Sequence, residues 1–371
     1  MNKNKIIFYV CIAFLMACIG ISLAITVNYK YESEKVMALK NVLMTLEGNN
    51  STKKGYEISF VKNVDYNDKE DTNDAIADYN AHYEAIGSFK LSYEESGNKV
   101  NLMDGFQSFF QNAKGFISGT QVESHTINNL ETDKNNNGTI RKENFNYSVS
   151  NEFVIDNNSD ISVLSNTKYN NNIDNTKNVN DSFLGKISKN LLFETIDISR
   201  FNDAVNQLMF IDVWDDATSL LKLISSSLDK IDYNNRDELA DFIKNKDFSF
   251  QINNDTIKIN YLLDLDDELN YKDNNYECIK FTLEVDKNSK EIKHFSFDLT
   301  KYYESILRTD ENDQKGTSKV NQYIIEGKIL NNILDKEDTS GVQYKEYNDE
   351  TKYDFIDQFI THAIPTREDI Y

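Results

Sequence analysis

Apolar positions along this chain follow several different rhythms, and each change of rhythm marks a boundary. Residues 6–27, IIFYVCIAFLMACIGISLAITV, hold no charge; a helix of that length covers about 30 Å, the thickness of a bilayer's hydrocarbon core. Val36, Leu39, Leu43 and Leu46 then recur at steps of three and four, one helical face, and Gly48 stops the run. A first strand is expected over 56–61, and the acidic stretch 65–85 reads as weakly helical from 75 to 85. After Ile86 the period becomes two. Phe89, Leu91 and Tyr93 alternate, Ser96-Gly97-Asn98 turns, and Val100 and Leu102 return as a hairpin. Residues 115–130 supply another strand or strand pair; Phe145, Tyr147, Val149, Phe153, Ile155, Ile161 and Val163 continue the alternation, and the Asn-rich run 166–180 reads as a loop.

The helical period comes back in a block over 199–246. Phe201, Val205, Leu208 and Met209 share one face, Leu220, Leu221, Ile224 and Leu228 another, and Asn235 with Glu238 forms a capping box before Leu239. Period two then resumes: Phe248, Phe250 and Ile252 turn at 253–255 into Ile257, Ile259 and Tyr261. Ile279, Phe281, Leu283 and Val285 turn at 286–290 into Phe295, Phe297 and Leu299. A further strand is expected over 320–329 and a polar linker over 335–350. A last helix through Phe355, Ile356, Phe359 and Ile360 ends near Pro365. Successive hairpins with one apolar face can bury it only under the helices. The expected fold is therefore α+β: a curved antiparallel sheet, a half-barrel, covered by helices and preceded by one N-terminal transmembrane or signal helix. Its expected divisions are an anchor or signal segment over 1–27, a helix and linker over 28–55, an extracytoplasmic domain over 56–334, and a polar linker with the C-terminal helix over 335–371.

Charge fixes the side of the membrane. Lys3 and Lys5 precede the apolar run without an acid, so the N-terminus stays inside and the rest of the chain outside. The competing reading is a cleaved signal, with Leu15-Met16-Ala17-Cys18 similar to a bacterial lipoprotein box and Cys18 the lipidated residue. Both readings place the protein at the cell membrane, as a single-pass chain with an extracellular C-terminal domain or lipid-anchored at the outer face. The formal net charge is −21, which argues against nucleic acid and anionic head groups as partners. Cys278 is the single cysteine beyond the apolar run, so a disulfide framework is not expected.

The order N-terminal helix, strands, helical lid, strands resembles the LolA-like architecture of bacterial lipoprotein carriers and lipid-binding lipoproteins. The hairpin from Phe281 through Val285-Asp286-Lys287 to Lys290 and Ile292 is similar to one that recurs in that group. The resemblance covers 36–329, apart from the loop at 170–180, and implies a cavity between sheet and helices for an acyl chain or a lipidated partner. Met209, Phe210, Trp214, Phe250, Phe281 and Phe295 are its candidate lining; packing of a core is the competing reading of the same stripe.

Chemistry is sparse, and no catalytic motif stands out, so a non-enzymatic protein is expected. Asp133, Asn135, Asn137 and Thr139, with Gly138, match the first part of a calcium loop, but position twelve is Asn144 and the flanks read as strands; a bare hairpin turn explains the same residues. No other cofactor is expected. His82, His125, His294 and His362 stand apart from one another, and the acidic run Asp264, Asp266, Asp267, Glu268 reads as solvated loop, with glycoside hydrolysis the other use of such carboxylates. Two functions follow: a membrane-tethered binding protein for a hydrophobic ligand or lipidated partner, or a surface interaction and adhesion module that uses the polar loops 128–144 and 166–180.

Overall fold

The computed structural model describes residues 34–38, 40, 52–71, 75–100, 106–135, 138–171, 179–195, 198–208, 235–245, 248–263, 279–289, 291–308 and 318–363. Two meanders make one sheet. The first is β1 (Lys53–Asp71), β2 (Ala75–Glu95), β3 (Ala113–Asp133), β4 (Gly138–Asn157), β5 (Asp160–Asn171) and β6 (Val179–Ser188). The second is β7 (Phe248–Ile252), β8 (Thr256–Leu263), β9 (Ile279–Asp286), β10 (Ile292–Asp298) and β11 (Lys319–Leu330). They join where β11 lies antiparallel on β1, from Gly55 opposite Leu330 to Asp65 opposite Lys319, with a bulge at Asn63/Val64. With β12 (Lys345–Tyr347) the sheet has 12 strands in the order β12-β6-β5-β4-β3-β2-β1-β11-β10-β9-β8-β7. It is open, since the outermost strands do not pair, and every pairing is antiparallel except β12 on β6.

Strand alternation assigns the two faces. Phe60 and Val64 on β1, Leu91 on β2, Ile117 on β3, Ile155 on β4 and Phe297 on β10 are buried, and all lie on one inner face through their registers. The helices cover that face in two groups. Over the first meander lie α1 (Gln107–Asn112), α2 (Lys189–Thr195), α3 (Ile198–Leu208) and α6 (Lys352–Ala363), whose Phe109, Leu192, Phe201, Phe355 and Phe359 are fully buried in one apolar cluster. The second cluster takes Val36 and Ala38 from the helical residues 34–38, Leu239 from α4 (Arg236–Asn245), and the flank of Tyr303 from α5 (Thr300–Arg308).

Between β11 and β12 the chain changes face. Residues 331–344 run across the outer side of the first meander. The Leu334 amide donates to Ser92 Oγ at 2.8 Å, and Lys336 pairs with Asp156. Gly55 is needed beneath this strap, because a Cβ there would lie 2.7 Å from the Leu334 side chain. β12 then closes the β6 edge and α6 turns back onto the inner face.

Several expectations need correction. Residues 75–85 are strand, the first half of a 21-residue β2 paired residue by residue with β1 and β3. Val100 does not return in a hairpin; β2 ends at Glu95 and the next strand starts at Ala113, after α1. Much of 128–144 and 166–180 is likewise strand, in β3, β4, β5 and β6, so the polar loops shrink to hairpin ends. The linker over 335–350 contains β12, and the half-barrel is an open sheet. The segment 6–27 lies outside the described residues; no described helix is long and apolar enough to cross a membrane.

Candidate functional site

Where the two apolar clusters meet, and into the edge of the second, the inner face carries polar side chains, in rows fixed by register. One row runs Phe60, Gly87, Gln121, Asn151, Thr167, Asp181 across β1 to β6; the next runs Tyr323, Lys62, Ala85, Glu123, Val149, Tyr169 from β11 to β5. A third runs Val64, Tyr83, His125, Tyr147. Polar side chains in phase with apolar ones on a covered face are expensive unless they find partners.

Lys62 is 3 % exposed. Its Nζ lies 4.2 Å from the Tyr303 ring centre, 4.8 Å from that of Tyr323 and 5.9 Å from that of Tyr83. These three rings come from α5, β11 and β2. Further along, His125 Nε2 and Glu123 Oε1 are 2.9 Å apart, and the imidazole sits stacked on Tyr147 at 4.4 Å and edge-on to Tyr83 at 4.5 Å. Asn151 Nδ2 donates to the Leu208 carbonyl at the end of α3, at 3.3 Å, which leaves its Oδ1 buried without a partner. Gln121 Nε2, directly across the ladder, is buried and unpartnered as well. A donor and an acceptor thus stand side by side in the belt with their hydrogen-bonding capacity unused, a state that costs about 1–3 kcal/mol per group when nothing fills it.

At the β6 edge His362 of α6 reaches back to the sheet. Its Nε2 is 2.8 Å from Ser165 Oγ and 3.2 Å from Thr167 Oγ1, and its Nδ1 is 3.2 Å from Asp181 Oδ2. Burial lowers the imidazole's pKa below the usual 6.5, with Asp181 opposing. The chain of bonds has the order of a serine–histidine–aspartate triad. Its exposure is reversed: Ser165 is 0 % exposed while the Asp181 side chain is 57 % exposed. A nucleophile must meet substrate and an orienting carboxylate must be dry, so this cluster acts as a latch between α6 and the sheet.

The residues anticipated from sequence divide three ways. Phe281 and Phe295 lie buried on the inner face around Phe297, at 4.6 and 6.0 Å between ring centres, and Phe250 on β7 is half-buried under the Lys35 ammonium at 5.3 Å. These three belong to the packed second cluster and not to the polar belt. Met209, Phe210, Trp214, Cys18 and Asn137 lie outside the described residues, as do Asp264, Asp266, Asp267, Glu268 and Cys278. Asp133 and Thr139 sit at the closed end of the β3–β4 hairpin, where Asp133 Oδ1 accepts the Asn135 amide at 2.8 Å, the arrangement of a turn flanked by strands. Each histidine faces a carboxylate: His82 meets Asp65 at 2.6 Å and His294 meets Glu326 at 3.4 Å, besides the two pairs above.

Sequence reasoning missed the belt, although a signal was present. Lys62 falls in phase with Phe60 and Val64, and Gln121, Glu123 and His125 fall in phase with Ile117 and Ile127. The outer face carries a separate open groove of about 360 Å³, floored by Ser59, Ser88, Ser118 and Thr120 and rimmed by the Lys328–Glu57 pair. No family model matches this chain, and no curated protein or solved structure matches it.

Proposed function

We propose that this chain is a membrane-tethered, extracytoplasmic, non-enzymatic binding protein that holds a hydrophobic ligand or a lipidated partner between the inner face of the sheet and its helices. The observation that carries the reading is the belt itself: Gln121 Nε2 and Asn151 Oδ1 are buried and unpartnered on the covered face, between two apolar clusters. A ligand with an apolar body and a polar group satisfies both kinds of surface at once. The order of elements that resembles the lipoprotein carriers fits the same use, and the charge-free segment 6–27 supplies the tether.

The test is native mass spectrometry of the full chain released from nanodiscs, with a photoactivatable fatty acid as a second probe. Co-purified lipid, or saturable crosslinking that maps to peptides of β3 and β4, is the expected result. An empty protein that crosslinks no more than an unrelated membrane protein defeats the proposal. A second reading, contact with a surface partner, is favoured only by the hydroxyl-floored outer groove; Ser88→Trp should then abolish partner capture and leave lipid content unchanged.

A further inference from the structure

The outer groove lies on interior strands of the sheet, and register lays out its floor. One row runs Glu57, Lys90, Ser118 across β1, β2 and β3; the next runs Ser59, Ser88, Thr120. Neighbouring strands are about 4.8 Å apart, so the second row is three hydroxyl side chains abreast. The strap bounds the groove on one side through Glu337. On the other side the register continues with Val61, Ile86 and Val122, and Ile86 and Val122 are half-exposed, the most open large aliphatic side chains of the described strands.

The polar groups of this groove are uncommitted. Ser118 is 2 % exposed and lines the groove, yet its hydroxyl bonds to no described residue, and neither do those of Ser59, Ser88 and Thr120. Ser92, further along β2, shows the contrast: it donates to the Lys54 carbonyl and accepts the Leu334 amide. Two ion pairs occupy the rim, Lys328 with Glu57 at 3.3 Å and His294 with Glu326 at 3.4 Å. Lys90 and Glu337 remain, one ammonium and one carboxylate without an ion pair among the described residues.

This balance disfavours a ligand with net charge, which would meet repulsion from one of the two. Each hydroxyl both donates and accepts, so the complementary ligand presents donors and acceptors together. The strands of the floor are paired on both sides and offer no backbone edge to an extended peptide. The volume of about 360 Å³ suits a small molecule or the end of a longer one. Resting on the surface-contact reading of the groove, and independent of the lipid reading, we infer that it is a carbohydrate site for a neutral terminal sugar. The sugar's hydroxyl edge lies on the floor, Lys90 donates to it, Glu337 accepts from it, and its C–H face turns toward Ile86 and Val122.

The experiment is saturation-transfer difference NMR on the full chain in nanodiscs, with glucose, galactose, N-acetylglucosamine and lactose as probes and glutamine as a zwitterionic control. At least one sugar should give a saturable signal in the millimolar range. Ser88→Trp, which fills the groove from an exposed position, should abolish it. Lys90→Met should raise the half-saturating concentration roughly tenfold, the loss of one hydrogen bond to a charged group. No saturable sugar signal above that of empty nanodiscs overturns the inference, as does one that survives in Ser88→Trp, or a signal from glutamine alone. The surface-contact reading falls separately, when Ser88→Trp captures a partner as well as the unaltered chain does. Should Ser88→Trp fail to fold, Lys90→Met decides, and a half-saturating concentration within about twofold of the unaltered chain overturns the inference.

Discussion

Lowering the pH should release α6 before the rest of the domain unfolds. His362 is held neutral by burial, with its pKa below the unfolded value near 6.5. Above that value neither state binds the proton, so the latch contributes fully. As pH falls through about 6.5 the unfolded chain takes up the proton first, and stability is lost until the lower folded pKa is reached. One histidine can contribute a slope of at most about 1.4 kcal/mol per pH unit. His362→Ala adds the cost of stranding the Ser165 and Thr167 hydroxyls, about 1–3 kcal/mol for a buried group left unsatisfied. Hydrogen exchange by mass spectrometry at a series of pH values from about 7.5 to about 5, corrected for intrinsic exchange, reads the opening of α6 peptides directly. The unaltered chain should lose protection over Lys352–Ala363 as the pH drops, ahead of β3 and β4. His362→Gln should be less protected at every pH and show no slope in that window. A slope that persists in His362→Gln, or α6 protection that does not vary with pH, would refute the argument.

Three further outcomes are expected. Phe359→Ala removes a fully buried ring that meets Phe183 at 5.3 Å and Phe201 at 5.4 Å, and should cost about 3–5 kcal/mol in chemical denaturation. Gly115→Ala should be strongly destabilising, because the new Cβ would lie 1.9 Å from the Ser92 carbonyl oxygen, whereas Gly341→Ala on the strap meets nothing within 4 Å and should leave the thermal midpoint nearly unchanged. Lys189, whose Nζ donates to the Ala113 carbonyl at 2.9 Å, has a pKa lowered to about 8 by burial and then by Lys114. The unfolded chain therefore holds more protons between about 8 and 10.5, so stability should rise with pH across that window; Lys189→Met should flatten the rise in urea titrations.

Hairpins whose apolar positions strictly alternate were legible. The turns at 253–255 and 286–290 join β7 to β8 and β9 to β10, and Phe355, Ile356 and Phe359 form the buried face of α6. The helical expectation for 75–85 fails for a physical reason. Ala75, Ala77, Ala81 and Ala85 favour helix locally, but Ala81 and Ala85 are inner-face positions where small side chains make room for the cover, and the ladders to β1 and β3 override propensity. Phe106, Phe109 and Phe110 had helical spacing that marks α1, and Ser165, Thr167 and Tyr169 carry the alternation into the Asn-rich run and mark the end of β5. The latch could not be read from sequence, because Ser165, Asp181 and His362 meet only after the strap carries the chain around the sheet.

The junction of β1 with β11 bears on the order of assembly. β1 is made early, and its second neighbour, Lys319–Leu330, is encoded almost 250 residues after β1 ends. At roughly 5–20 residues per second, ribosomal synthesis leaves about 10–50 s between the two. Throughout that interval a nascent first meander would offer an uncapped row of backbone donors and acceptors along 19 residues, the geometry that recruits foreign strands. Closure at long sequence separation is also slow. A chaperone-held, unpaired chain until residue 330 has emerged is the condition under which this topology forms cleanly, and C-terminal truncations short of β11 should aggregate where truncations within the last helix stay soluble.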